Sequence, residues 1–359
     1  MKKILLLTAM IVAGMMTTSC SSDNDGVEQQ TNNDAGVIAL KAEVVPMNTL
    51  LEGERTSSRV ITPEYENTIS NIHIVAFGAD GNKIFHVYSP MYMENPYTTL
   101  LNLGSEHAGE RVKIYAIANV GDASLFASTQ NGVDNTVANF ELLNLRPVGE
   151  NIAGNITAGN LILKAGNGTS LTTISNSSSP IMVATLNVTV SNNGLTSATL
   201  RFVRQDTKVS LNIIPQNMKV IKYKIGNIPK ISYLFSHDEN VNNVEYMDMP
   251  YTDIPAADQT KTIKASYHVF ENYKDIAAGL TKQMERTDAN APANATYVDI
   301  IGIPDGYTDS YRYRVYLGGV DIENAVHYDK FSLYRNYEYY LTVKIAGDGT
   351  GDPRVSKVE

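Results

Sequence analysis

The chain has 359 residues, 29 basic against 38 acidic, and a formal net charge of −9. An acidic surface of this kind argues against partners recognised through phosphate or anionic lipid charge, and no nucleic acid is expected among its partners. One cysteine excludes an internal disulfide and tryptophan is absent, so a chain long enough for about two domains must be stabilised by apolar cores.

Met1-Lys2-Lys3 is a short positive start, and residues 4–16 are an apolar run. That run is too short to span a bilayer, which needs about 20 residues. Thr17-Thr18-Ser19 then places small residues ahead of Cys20. The order is that of a secretory signal peptide, and a cysteine at the cut resembles the lipobox of bacterial lipoproteins. Residues 1–20 are therefore expected to be a lipoprotein signal, with Cys20 carrying the lipid that holds the chain to the outer membrane. Thr17 stands where most lipoboxes have leucine, and an ordinary cleaved signal is the other reading. Removing Lys2 and Lys3 leaves 27 basic against 38 acidic residues, a net −11. Residues 21–35 open with Ser21-Ser22-Asp23-Asn24-Asp25 and read as a flexible tether.

From there period-two alternation dominates. In residues 36–45, Ile38, Leu40, Ala42 and Val44 share one face. Residues 71–77 and 83–88 are apolar runs joined by Gly78-Ala79-Asp80-Gly81-Asn82, a hairpin signature. Residues 111–118 put Val112, Ile114, Ala116 and Ala118 on one face and Lys113 and Tyr115 on the other, the pattern of a half-buried strand. Residues 125–145 read as a short helix or a long excursion, and residues 151–179 as Gly/Asn/Ser/Thr loops around a strand at 161–164. Strands follow at 182–190 and 198–204 with an Asn193-Gly194 turn between them. A new set begins at 208–214, and strands at 262–270, 296–303, 310–317 and 337–345 complete it after a loop-rich stretch at 236–259. Many short strands with Gly/Asn/Pro turns and little helix predict an all-β chain of β-sandwiches.

No motif carries catalysis or a cofactor. His73, His86, His107, His237, His268 and His327 form no zinc-ligand spacing, and Cys20 is consumed by the signal. Asp348-Gly349-Thr350-Gly351-Asp352 lacks the spacing of a calcium loop and reads as a flexible linker. Neither metal nor cofactor is expected, and the chain is not read as an enzyme. Because paired carboxylates can act on glycosides without any sequence motif, a surface lipoprotein that binds or processes glycans is the alternative. Tyr311, Tyr313 and Tyr316 would be its sugar platform, and half-buried sheet packing is the competing use of the same tyrosines.

Several segments together resemble the fimbrillins, the pilin family of type V pili in Bacteroidales. They are the signal ending at Cys20, Glu54-Arg55-Thr56-Ser57-Ser58-Arg59 behind the first strand, and Asn71-Ile72-His73-Ile74-Val75-Ala76-Phe77 with Asp80-Gly81-Asn82. Arg204-Gln205-Asp206-Thr207-Lys208-Val209 follows, then Tyr313-Arg314-Val315-Tyr316-Leu317-Gly318 and Leu333-Tyr334-Arg335-Asn336-Tyr337-Glu338-Tyr339. The resemblance implies two tandem transthyretin-like Greek-key β-sandwich domains, 36–200 and 201–359. It implies a structural subunit of a cell-surface fimbria that supports adhesion. Its partners would be other fimbrial subunits, with host or bacterial surface receptors beyond them. It also implies proteolytic processing at Arg55 or Arg59, with Arg59 preferred because Val60-Ile61 can then open the mature chain. A strand from a neighbouring subunit would then replace the displaced strand.

The displaced strand would be the one bearing Ile38, Leu40, Ala42 and Val44. Three buried aliphatic side chains at roughly 1.5–3 kcal/mol each, with Ala42, come to about 5–10 kcal/mol. That rivals the whole net stability of a typical domain, about 5–15 kcal/mol. Cutting behind the strand does not remove it but makes it displaceable, and the vacated groove would expose apolar floor and unpaired backbone. Family members supply the replacement from the carboxy terminus. Here that tail offers only Val355 and Val358, which do not share a period-two face, so it is a poor donor.

Overall fold

A computed structural model of the chain describes residues 34–52, 67–89, 97–119, 180–230, 245–274, 276–320 and 325–358. Eighteen strands carry the described architecture: β1 (Val37–Val44), β2 (Asn48–Glu52), β3 (Ile72–Phe77), β4 (Lys83–Ser89), β5 (Tyr97–Asn102), β6 (Arg111–Ala118), β7 (Met182–Thr189), β8 (Thr196–Arg204) and β9 (Asp206–Gln216) come first. They are followed by β10 (Met218–Gly226), β11 (Ile228–Pro229), β12 (Tyr246–Met247), β13 (Thr252–Asp253), β14 (Ile263–Phe270), β15 (Tyr297–Pro304), β16 (Tyr311–Tyr316), β17 (Tyr337–Ala346) and β18 (Val355–Lys357). The segments expected at 125–145, 151–179 and 236–244 lie outside the described residues.

The chain is all-β and folds as two sandwiches. In the first, seven strands run in the order β4-β3-β6-β7-β8-β1-β5. The row turns a corner between β7 and β8, which share only the pairs Met182↔Arg204 and Val183↔Val203. The two halves therefore face each other across one core, in which Ile38, Leu40, Ala42 and Val44 meet Ile72, Ile74, Ile114 and Phe202. The second sandwich stacks the sheet β14-β9-β17-β2 on the sheet β13-β10-β15-β16-β18. Its core includes Val209, Leu211, Ile300, Val315, Tyr339 and Leu341. Cores of this kind are what a chain without disulfides requires.

Local chemistry explains the turns. All five described non-glycine residues with positive φ are asparagines: Asn119, Asn217, Asn227, Asn294 and Asn336. Asparagine tolerates the left-handed region better than other side chains. Asn119 also uses its amide, donating to the carbonyls of Thr68 and Pro180 at 3.0 and 2.7 Å and accepting from the Ser70 amide at 2.8 Å. Gly318, in the Tyr-Leu-Gly motif, has φ +87°, and a Cβ there would stand 2.7 Å from the Phe331 carbonyl carbon. Beside it, buried Arg286 donates to the carbonyls of Leu317, Tyr328 and Lys330 at 2.7–2.8 Å and stacks over Phe331.

Two expectations are corrected. β6 is not half-buried: Tyr115 and Ile117 on its second face are 3 % and 1 % exposed. Tyr115 packs edge-on against Phe77, so this face is apolar cover and not solvent surface. Residues 347–352 form ordered turns in place of a flexible linker. Asp348 accepts from the Thr350 amide and hydroxyl at 3.0 and 2.7 Å, and Asp352 pairs with Arg354. These turns bring the tail back as β18, antiparallel to β16. The change of core falls between Phe202 in β8, which belongs to the first, and Val209 in β9, which belongs to the second.

Candidate functional site

β1 has the alternation its sequence predicts: Ile38, Leu40, Ala42 and Val44 are buried, and the residues between them are not. Lys41 and Glu43 pair with each other on the outer face. The strand is not at a sheet edge. It lies parallel to β8 from Ile38↔Thr196 to Val44↔Phe202, and antiparallel to β5 from Val37↔Asn102 to Ala42↔Tyr97. β5 has no other strand neighbour among the described residues. Taking β1 away would leave a slot walled by backbone on both sides and floored by the first core.

The ribbon continues beyond β1. Pro46 has no N–H to offer a ladder, and β1 ends two residues before it. Val45 still donates to the Phe202 carbonyl at 2.8 Å. The chain then enters the second sandwich as β2, parallel to β17 from Tyr337↔Asn48 to Leu341↔Glu52. Leu50 is fully buried in the second core. One N-terminal segment, Val37 to Glu52, thus supplies a strand to each sandwich. Sequence reasoning found the first strand and missed the second, because Leu50 alone carries its inward face.

Where the ribbon crosses, it is held by two side chains whose motifs are far apart in sequence. Arg204, fully buried, donates from Nη1 to the Val45 carbonyl at 2.9 Å and to Asn336 Oδ1 at 2.8 Å, and from Nη2 to Asn67. Asn336 Nδ2 reaches the Pro46 carbonyl at 3.2 Å, and its backbone amide donates to the Asp206 backbone carbonyl at 2.8 Å. Asp206 pairs with buried His268. Burial pushes the Asp206 carboxyl up, but the facing His268 and Arg204 outweigh burial and hold it below the usual carboxylate range. The Arg204-Gln205-Asp206 and Arg335-Asn336 motifs are therefore one clamp around the crossing.

Of the other residues singled out in the sequence, Cys20, Arg55 and Arg59 lie outside the described residues. In sequence, Arg55 follows the end of β2 by three residues, so a cut at either arginine would sever β1 and β2 together from the remaining chain. Tyr313 and Tyr316 do not form a sugar platform. Tyr313 lies in the second core with its hydroxyl donated to the Gly347 carbonyl, and burial pushes its phenol up to about 12. Tyr316 packs edge-on against Tyr297 and Phe331. Asp299 nearby accepts from both Nε and Nη2 of Arg314 at 2.7 Å. His73 is buried, tilted against Tyr88 and stacked on His86. Among the described residues, no group of three or more His, Cys, Asp or Glu is placed to hold a metal ion.

Residues 267–343 match a family described as a domain of unknown function, DUF4906. Curated proteins give no match. Among solved structures, the chain is similar to the tip fimbrial protein Mfa3 from Porphyromonas gingivalis with a C-terminal truncation, at 11 % identity and a TM-score of 0.52, over 90 % of this chain and 97 % of that one. It is also similar to a protein assigned to cell adhesion from Parabacteroides distasonis, at 12 % identity and a TM-score of 0.54, over 88 % and 90 %. A protein with the same assignment from Bacteroides eggerthii matches at 12 % identity and a TM-score of 0.50, over 91 % and 90 %. At these identities the likeness is one of fold. The chain shares the all-β fold of these fimbrial and adhesion proteins.

Proposed function

We propose that this chain is a structural subunit of a cell-surface fimbria, assembled by strand exchange and supporting adhesion, with no catalytic step. It is exported as a lipoprotein through Cys20 and reaches the outer membrane by that lipid. An arginine-specific protease then cuts after Arg55 or Arg59. The cut turns Val37–Glu52 from an attached ribbon into a displaceable one, and an extended strand from another fimbrial subunit takes its place. Host or bacterial surface receptors would be met by the assembled filament.

One observation carries this reading: a single N-terminal segment is an inner strand of one sandwich and a strand of the other, and it is followed at once by the two arginines. Its loss would open apolar floor and backbone in both sandwiches, which strand addition repairs. The likeness of fold to a fimbrial tip protein is in keeping with it. The short β18, with Val355 its only apolar residue, is in keeping with a donor supplied by a different subunit. The test is the mature amino terminus of surface material, together with protease treatment of purified precursor. A start at Thr56 or Val60 and SDS-resistant ladders after cutting are expected. A surface form that always retains Val37–Glu52 and never associates would refute the proposal.

A further inference from the structure

The sheet β13-β10-β15-β16-β18 has one face in the second core and one turned away from it. Two rows of residues cross the strands on that outer face. One is Lys222-Ile301-Arg312-Ser356, and the other is Lys224-Asp299-Arg314. Alternation puts them there, because their neighbours Tyr223, Ile300, Tyr313 and Val315 fill the core. Four cations thus gather on one face of a chain whose net charge is −9.

The second row is closed on itself. Arg314 holds Asp299 through two hydrogen bonds and lies 3.7 Å from the centre of the Tyr297 ring. Lys224 pairs with Asp248, which also accepts from the Tyr297 hydroxyl at 3.0 Å. The first row is not closed. Among the described residues Lys222 has no carboxylate partner, although exposed Asp253 stands opposite it in β13. Arg312 reaches only Asp288, at 3.5 Å, and its Nε has no hydrogen-bond partner. A contact of that length is at the limit of a hydrogen bond, and one third of the Arg312 side chain is open to solvent.

Tyr251, which precedes β13, joins the rows. The ammonium groups of Lys222 and Lys224 lie 4.8 and 5.1 Å from its ring centre, and the residue stays partly exposed. Among the described residues its hydroxyl makes no hydrogen bond. Burial pushes its phenol up, Asp299 adds to this, and Lys224, Arg312 and Arg314 oppose it. The ring therefore reaches from the lysines towards the arginines of β16. Two strand spacings, about 10 Å, separate Lys222 from Arg312, and Ile301 between them is buried.

We infer that Tyr251, Lys222 and Arg312 form a binding site for a saccharide that carries a carboxylate, a uronic or a sialic acid. Such a sugar packs the C–H face of its ring on the tyrosine. Its carboxylate takes charge-assisted hydrogen bonds from the Arg312 fork and the Lys222 ammonium. Lys224 and Arg314 are already neutralised by Asp248 and Asp299, so they hold the platform in place beneath it. A single carboxylate suits the site, because the acidic chain as a whole repels polyanions. The inference rests on the adhesive part of the proposed function, whose receptor chemistry it names, and needs no strand exchange.

The test is calorimetric titration of the purified full chain with oligogalacturonate and with sialyllactose, each beside its neutral counterpart, the methyl ester and lactose. At least one acidic saccharide should bind, and its neutral counterpart should bind about tenfold more weakly or less, the weight of a charge-assisted hydrogen bond. Which of the two binds tells a uronic from a sialic acid. Lys222→Gln and Arg312→Gln should each weaken binding by a similar factor, and Tyr251→Ala should abolish it. Lys261→Gln, which alters an exposed pair with Asp258, should leave binding unchanged. In the native chain, bound sugar should slow reductive methylation of Lys222 and not of Lys261, which keeps the test open if a variant does not fold. Binding of neither acid, equal binding of acidic and neutral forms, or methylation of Lys222 at the same rate with and without sugar would overturn the site. SDS-resistant ladders after arginine-specific cutting are scored separately, so the site can fail while assembly stands, and assembly can fail while the site stands.

Discussion

Leu40→Ala probes the ribbon where its structure is most explicit. Leu40 is 2 % exposed and lies on the face of β1 that meets the first core. Truncating a buried leucine costs about 2–5 kcal/mol, the transfer term plus the cavity left behind. The backbone pairing to β5 and β8 is untouched by the change, so the loss reports the side-chain face alone. At about 1.4 kcal/mol per tenfold, the cut body should bind a Leu40→Ala ribbon peptide roughly 30- to 4000-fold more weakly than the native one. Lys41→Ala is the matched control. Its side chain is 44 % exposed and pairs only across the surface with Glu43, an interaction worth about 0–1 kcal/mol. The assay is equilibrium binding of labelled peptide to the protease-cut chain, paired with urea unfolding of the uncut variants followed by tyrosine fluorescence. Equal weakening by the two substitutions, or none by Leu40→Ala, would mean that the apolar face does not hold the ribbon.

Arg204→Ala should destabilise the uncut chain by about 3 kcal/mol or more, because buried acceptors on Val45 and Asn336 lose their donor; urea midpoints would read this, and a loss below about 1 kcal/mol would deny the clamp. Asp206 has a folded pKa below its unfolded value, so its contribution is fully present above about pH 4 and is lost as the pH falls through the folded value. Thermal melts from pH 5 to pH 2 should show a decline for the native chain that is shallower in Asp206→Asn. Gly318→Ala should lower stability by about 1–3 kcal/mol, since alanine meets both a left-handed φ and the Phe331 backbone; an unchanged melting temperature would show that the turn can rearrange.

Period-two alternation is a property of each strand by itself, which is why the sequence alone determined most of the strands and their inward faces. Ile38, Leu40, Ala42 and Val44 point inward whichever strand lies beside them. Gly81 and Gly194 likewise act locally, through the positive φ that each adopts and few other residues tolerate. Only the tertiary structure decided which strands are neighbours. β2 shows no local sign that it leaves the first sandwich, because its single inward Leu50 fits either core and only its position beside β17 assigns it. The meeting of Arg204 with Asn336 across 132 residues is decided in the same way. So is the burial of Tyr115 and Tyr313, whose amphipathic rings suit a surface or a core until a neighbour covers them. Alternation is written within a few residues, whereas the identity of the covering partner depends on contacts that form only when distant segments meet.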